Sequence, residues 1–186
     1  MPLGALGSAV APLTRMSAPK SISGSIARGL VAGAIGTAAF DAWLYARYRL
    51  GGGESDFPDW ESSAGLDGWQ HAPAPALLGK RLVEAVTRQE LAPSHARLVN
   101  NVMHWAYGIG NGVAYSLVVS RLARPRIRYG LPFGAAVCGS DYVTLPLLKL
   151  YKPIWEYDAK TLAGDFSAHL VYGLSTATAL QAMSST

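Results

Sequence analysis

The chain has 186 residues, of which 50% are hydrophobic and 15% charged, with a formal net charge of +4 and a positive mean hydropathy of +0.18. That length holds one domain or one small helical bundle, and so apolar a balance is unusual for a water-soluble domain, which puts a membrane class first. The single cysteine, Cys138, excludes an internal disulfide framework and any cysteine-rich metal site, and the basic residues lie in small groups without an interleaved aromatic platform, which argues against nucleic acid as a partner.

Residues 1–21 read as a flexible tail. No charge precedes Arg15, and Pro2, Pro12 and Pro19 interrupt the stretch, so it lacks the charged start and clean apolar core of a secretory signal; Met16 is an alternative start. The remainder, 22–186, reads as one all-α polytopic membrane domain. Four segments, about 29–46, 99–120, 129–148 and 161–183, approach the roughly 20 mostly apolar residues that cross a bilayer. The first is bounded by Arg28 and Arg47. Glycines recur in it (Gly29, Gly33, Gly36) and in the second (Gly108, Gly110, Gly112), and small residues let helix backbones approach closely in lipid. These helices are therefore expected to pack on one another, and the same small-residue faces suit a homo-oligomer.

Between the first two spans lies a polar loop, 50–98. It opens with Gly51, Gly52 and Gly53, passes through an acidic, aromatic part (Glu54, Asp56, Asp59, Trp60, Glu61, Asp67, Trp69), and reaches His71 and the turn at Pro73 to Pro75. From Ala76 to Leu91, Leu78, Leu82, Ala85 and Val86 recur at helical spacing opposite Lys80, Arg81, Glu84 and Arg88. That pattern predicts an amphipathic helix, lying at the membrane surface, capping the bundle, or packed on the loop. Arg121, Arg124, Arg126 and Arg128 crowd the short connection between spans two and three; the positive-inside rule then puts this loop and both termini in the cytoplasm and the long loop outside. Tyr151, Trp155 and Tyr157 suit an interfacial aromatic belt. In the fourth span a central Asp costs roughly 2.5–3.5 kcal/mol to insert, which few strongly apolar residues offset, so it is expected to enter as a hairpin with the third.

At about 1.5 Å per residue, Asp41, His104, Asp141, Asp165 and His169 fall in one layer, roughly 6–12 Å below the outer boundary. Helical phase puts Asp165, His169, Gly173 and Thr176 on one face, His104 in line with Asn101, Gly108, Asn111 and Tyr115, and Asp41 after Thr37 and Gly33. A bundle with these stripes turned inward brings three carboxylates and two imidazoles together, with Asn101, Tyr107, Asn111 and Tyr142 as hydrogen-bond partners.

Three uses of such a cluster remain open. Its members can glue helices, at about 0.6 kcal/mol per bond in membrane bundles. They can move protons or an ion, since His titrates near neutral pH and a carboxylate one turn away can hold its proton. Or His104, His169 and Asp165 can bind a divalent metal such as zinc or iron, for which Asp165-x-x-x-His169 is a weak signature. No other cofactor is indicated, and no HExxH, nucleophile elbow or Walker-type glycine loop speaks for an enzyme. His71 and His95 read as solvated loop residues and Cys138 as a small packing residue.

At the last two spans, Gly130-Leu-Pro-Phe-Gly134, Asp141, Pro146, Leu150-Tyr-Lys-Pro153-Ile-Trp155-Glu156 and Asp165-Phe-Ser-Ala-His169-Leu-Val-Tyr-Gly173 resemble the YagU-like family of small bacterial inner-membrane proteins. His104-Trp-Ala-Tyr-Gly108 and the spacing to Tyr115 resemble that family's preceding span. The similarity covers roughly residues 99–180. This chain carries Asp141 where the family pattern has a His, Ala168 for a Gly and Lys152 for a Pro. The resemblance implies four spans in a bacterial inner membrane and a shared acid and His in the last span, without a reaction. The expectation is thus a non-enzymatic membrane protein handling protons or ions, or else a structural, partner-binding subunit whose cluster only packs the helices.

Overall fold

The structure, a computed structural model, describes residues 21–122 and 126–184. The tail up to residue 20, including Met16, and Arg124 of the arginine-rich connection lie outside the described residues. Among those described, every regular element is helical: α1 (Ile22–Leu50), α2 (Phe57–Glu61), α3 (Ala74–Thr87), α4 (Ala96–Val119), α5 (Gly130–Leu147) and α6 (Ala159–Ala182), with short 3-10 turns at 93–95, 127–129 and 154–156.

The helix boundaries follow local chemistry. Ser21 caps α1, its Oγ accepting from Gly24 N at 3.1 Å, and Arg47 and Arg49 fall in the last turn, where cations complement the helix dipole. The chain then turns through Gly52, at a φ of 91° that an L side chain would resist. Asp158 caps α6, accepting from both the backbone N (2.9 Å) and the hydroxyl (2.7 Å) of Thr161. At 29 residues α1 is about 44 Å long, and among the described residues it is the helix long and apolar enough to cross a membrane. The 24-residue helices α4 and α6 reach about 36 Å, but Asn, His, Asp and Thr dilute their hydropathy.

Helix α1 stands in the middle, with α4 and α6 running antiparallel on its two sides, α5 beyond α6, and α3 on the outer flank of α4. Backbone meets backbone where glycines allow it. A Cβ on Gly33 would come within 2.8 Å of Ile109 Cα, and one on Gly29 within 2.6 Å of Val113 Cα. Gly130 and Gly134 of α5 meet the backbone of Gly173 and His169 of α6 in the same way, whereas Gly36 leaves room for the Thr176 and Tyr172 side chains. Helices α4 and α5 instead face each other across a gap. Toward the end that holds the α1 N-terminus, aromatic rings fill it: Tyr115 stacks on Phe133 at 4.4 Å, and Phe133 leans on Tyr172 at 5.6 Å.

The consequence is an interior of small side chains. The largest fully buried side chains are Thr176, Ser25 and Ser116, whereas Leu30, Val31, Ile35, Val102, Val118, Val143 and Leu147 are all exposed. Ser116 Oγ donates to Ser25 O at 2.7 Å, tying the end of α4 to the start of α1.

The amphipathic helix expected over 76–91 runs instead from Ala74 to Thr87, ending where Arg88 takes a left-handed φ of 59°. Of the three placements left open for it, it packs on the bundle through its small residues. Ala76 and Gly79 bury against α4, and a Cβ on Gly79 would meet Met103 Cγ at 2.5 Å, so Leu82 and Val86 stay exposed. The Val99 and Met103 side chains of α4 fill the space that a side chain at 79 would need, and the large apolar Leu82 and Val86 are turned out.

Candidate functional site

Toward the opposite end, the gap between α4 and α5 opens into a cavity of about 310 Å³, floored by α1 and α6 and rimmed by Ala74, Pro75 and Leu78 of α3. The Arg81 guanidinium of α3 donates to the Leu148 carbonyl just past α5, so the loop helix spans from α4 to α5 across this end.

Four of the five ionisable residues singled out in the sequence line this one space: His104, Asp141, Asp165 and His169. The fifth, Asp41, is only 3% exposed and sits behind His104, whose Nε2 is 2.9 and 3.1 Å from its two carboxylate oxygens. On the α5–α6 side, His169 Nε2 lies 3.2 Å from Asp141 Oδ2, and Tyr107 of α4 donates to Asp141 Oδ1 at 2.5 Å across the cavity. Tyr142 donates to Asp165 Oδ2 at 2.6 Å. The expected knot of three carboxylates and two imidazoles is thus two His–Asp pairs and one Tyr–Asp pair. The ring of Phe40 stands between the imidazoles, 6.1 Å from His104 and 5.0 Å from His169, centroid to centroid.

The i,i+4 relation of Asp165 and His169 is realised differently from the expectation that the carboxylate holds the imidazole's proton. His169 Nδ1 lies 2.7 Å from the backbone carbonyl of Asp165, while the Asp165 side chain turns to Tyr142. A carbonyl can only accept, so Nδ1 carries a hydrogen. Nε2 then faces a carboxylate with one proton between them. Either His169 is an imidazolium beside a carboxylate, or it is neutral beside a carboxylic acid; a neutral ring against an ionised Asp141 would set two acceptors face to face. The pair therefore shares a transferable proton.

Asn111 lines the cavity and donates to Tyr107 O at 3.0 Å. Asn101, expected beside the cluster, does not reach it. Its Nδ2 donates to Ser62 O (2.9 Å) and Arg97 O (2.8 Å), pinning the start of α4 to the preceding loop, where unpaired backbone carbonyls compete for the amide. Among the described residues, no three His, Cys, Asp or Glu side chains converge in a metal-holding group; of the named candidates, His104 and His169 are parted by Phe40 and Asp165 is directed to Tyr142. Cys138 is buried within α5, and His71 and His95 are exposed.

Two participants escaped the sequence. Glu61 at the end of α2 accepts from Trp105 Nε1 at 3.1 Å beside the Asp41–His104 pair. Its carboxyl is held above the usual glutamate range, first by burial and then by the negative charge of Asp41. Nothing local distinguished it from the other acids of the loop. Tyr151, past the end of α5, has its hydroxyl pushed up to about 12 by burial and by the charges of Asp165 and Asp141, so it remains a proton donor at the cavity wall. The cavity is therefore an acid–imidazole site framed by aromatic rings in an all-helical bundle. Comparison with protein families, with curated proteins and with solved structures returns no match for this chain.

Proposed function

We propose that this chain is a four-span inner-membrane protein of the YagU-like kind, and that its cavity passes protons between the His–Asp pairs and the space they line. The observation that carries the proton role is the geometry of the His169–Asp141 contact at the cavity wall, with Nδ1 turned to the Asp165 carbonyl and Tyr107 on the other carboxylate oxygen. Imidazoles titrate in the physiological range, and ionisable groups at membrane depth are too costly to be retained without use.

The membrane placement rests on the distribution of side chains. A water-soluble bundle buries Leu, Ile and Phe; this one buries mainly Ala, Gly, Ser and Thr with a few tyrosines and valines, and exposes Leu30, Val31, Ile35, Val102, Val118, Val143 and Leu147 along α1, α4 and α5. Packing through small residues with apolar exteriors is what helices do in lipid, where association draws on close contact rather than on water exclusion. With the arginine-rich 121–128 connection cytoplasmic, the cavity lies in the outer half and α3 borders it on the outside.

A test is proton flux in liposomes carrying the purified chain, a pH-sensitive dye inside and an imposed potassium diffusion potential. Flux above empty liposomes that is lost in His169→Gln supports the proposal; flux equal to empty liposomes removes it. One observation favours the purely structural alternative: Asp41 is buried with both its oxygens near His104, so that pair is satisfied without a passenger. In that case His104→Gln lowers thermal stability and leaves flux untouched.

A further inference from the structure

Proton transfer does not explain the shape of the cavity. At about 310 Å³ it is far larger than a proton relay needs and falls at the lower end of small-molecule sites, roughly 300–1,000 Å³. Its wall is mostly apolar and unusually aromatic: Phe40, Tyr107, Tyr142, Tyr151 and Tyr172 present rings or ring edges to it, among Leu44, Leu78, Val137 and Leu145.

Apart from the imidazoles of His104 and His169, which are already paired with Asp41 and Asp141, the ionisable groups of the wall are acidic. Two carboxylates, Asp141 and Asp165, line it, and among the described residues no Lys or Arg does. Asp141 is matched by the proton it shares with His169. Asp165 is not matched in that way, since its partner Tyr142 donates a hydrogen bond but brings no positive charge, and the ion pairs among the described residues do not include it. A carboxylate with only a phenol for company, in an aromatic box, is complementary to a cation that carries apolar surface. Ring faces attract such a cation electrostatically, most strongly when it is desolvated, and the apolar wall takes its hydrocarbon part. A hydrated metal ion would leave that wall unused, and an anion would meet two carboxylates.

We infer that the cavity is a binding site for a small organic ammonium ion bearing an aryl or alkyl group, with Asp165 as its counter-ion and Phe40, Tyr107 and Tyr151 as its walls. This deepens the proposed proton-handling role of the same cavity and rests on it in part, because the imidazoles on either side of Phe40 are where a proton would be exchanged as the cation enters. Recognition itself depends on Asp165 and the rings, not on the His169–Asp141 proton.

Equilibrium binding to the full chain in detergent tests this with benzyltrimethylammonium, a permanent cation, and its neutral isostere in which carbon replaces the nitrogen. The cation should bind with at least about tenfold higher affinity than the isostere, and Asp165→Asn, which keeps an acceptor for Tyr142, should remove that preference. Equal affinity for the two probes, no saturable binding of the cation, or an undiminished preference in Asp165→Asn overturns the inference. Should Asp165→Asn not fold, Leu78→Trp, which fills the cavity from α3 outside the packed bundle, must abolish cation binding; binding that survives it overturns the inference equally. Proton flux measured in liposomes without the cation keeps the two ideas apart: flux lost in His169→Gln with no cation binding to the unmodified chain sinks only the cation, and cation binding with no flux sinks only the relay.

Discussion

Replacing Asp141 separates the fold from the proton. Its side chain accepts a hydrogen bond from Tyr107 at 2.5 Å and shares a second, at 3.2 Å, with His169. In Asp141→Asn both contacts survive: the amide oxygen accepts from Tyr107, and the amide nitrogen donates to the Nε2 of a neutral His169 whose hydrogen stays on Nδ1. Hydrogen bonds to a charged group contribute about 1.5–3 kcal/mol and neutral ones about 0.5–1.5, so the two weakened bonds lose roughly 2 kcal/mol together, less whatever is gained by no longer burying a charge. Asp141→Leu instead strands the Tyr107 hydroxyl and a ring nitrogen, each costing about 1–3 kcal/mol, or roughly 2–6 in total. Thermal unfolding in detergent should therefore show a small shift for the Asn variant and a larger one for Leu. Proton flux in liposomes should be lost in both, because an amide does not release the proton that the acid shares with His169. A folded Asp141→Asn protein that conducts like the unmodified chain refutes the shared-proton argument, and equal stabilities of the Asn and Leu variants refute the hydrogen-bond geometry beneath it.

The glycine contacts make a paired prediction. Gly33→Ala puts a methyl against the Ile109 backbone and should cost about 1–3 kcal/mol, whereas Gly110→Ala faces open space and should be neutral or slightly stabilising through helix propensity; thermal unfolding in the same detergent compares them. Glu61 gives a pH dependence. Its carboxyl is raised in the folded state, so the stability it contributes is fully present below its unfolded pKa and is lost as pH rises through the folded value. Glu61→Gln should accordingly gain thermal stability relative to the unmodified chain on going from acid to neutral pH, and a constant difference across that range would contradict the burial argument. Phe133→Ala removes the ring wedged between Tyr115 and Tyr172 and should raise proton leak toward the arginine-rich end, read in the same liposomes. Topology is checked with single cysteines at Ala64→Cys and Leu122→Cys in a Cys138→Ala background. An impermeant thiol reagent added from outside should modify the first and not the second.

Much of the architecture was legible along the chain, because a helix is a local object. Hydropathy placed the last three long helices within three residues of their ends, though α1 starts seven residues before the expected 29 and ends four after 46, and the glycines of 29–36 and 108–112 announced close helix packing without saying which helices meet. That Asp41, His104, Asp141, Asp165 and His169 lie at a common level of the bundle also followed from counting residues. Local pattern left the placing of α3 open between the membrane surface, the bundle end and the loop: the periodic stripe does not show that Ala76 and Gly79 are the residues that bury against α4 while Leu82 and Val86 face outward.

What the sequence determined by itself, then, was which residues are helical, which stripes are small or polar, and at what level the ionisable groups lie, since these depend on a fixed rise and turn per residue. Only the tertiary structure decided who pairs with whom. His169 takes Asp141 from the neighbouring helix and merely the backbone of Asp165, Asp41 withdraws behind His104, and Glu61 enters from a distant loop. Those choices depend on the azimuth of each helix about its axis and on its distance from the next, quantities set by the fit of glycine against backbone across helices far apart in the chain.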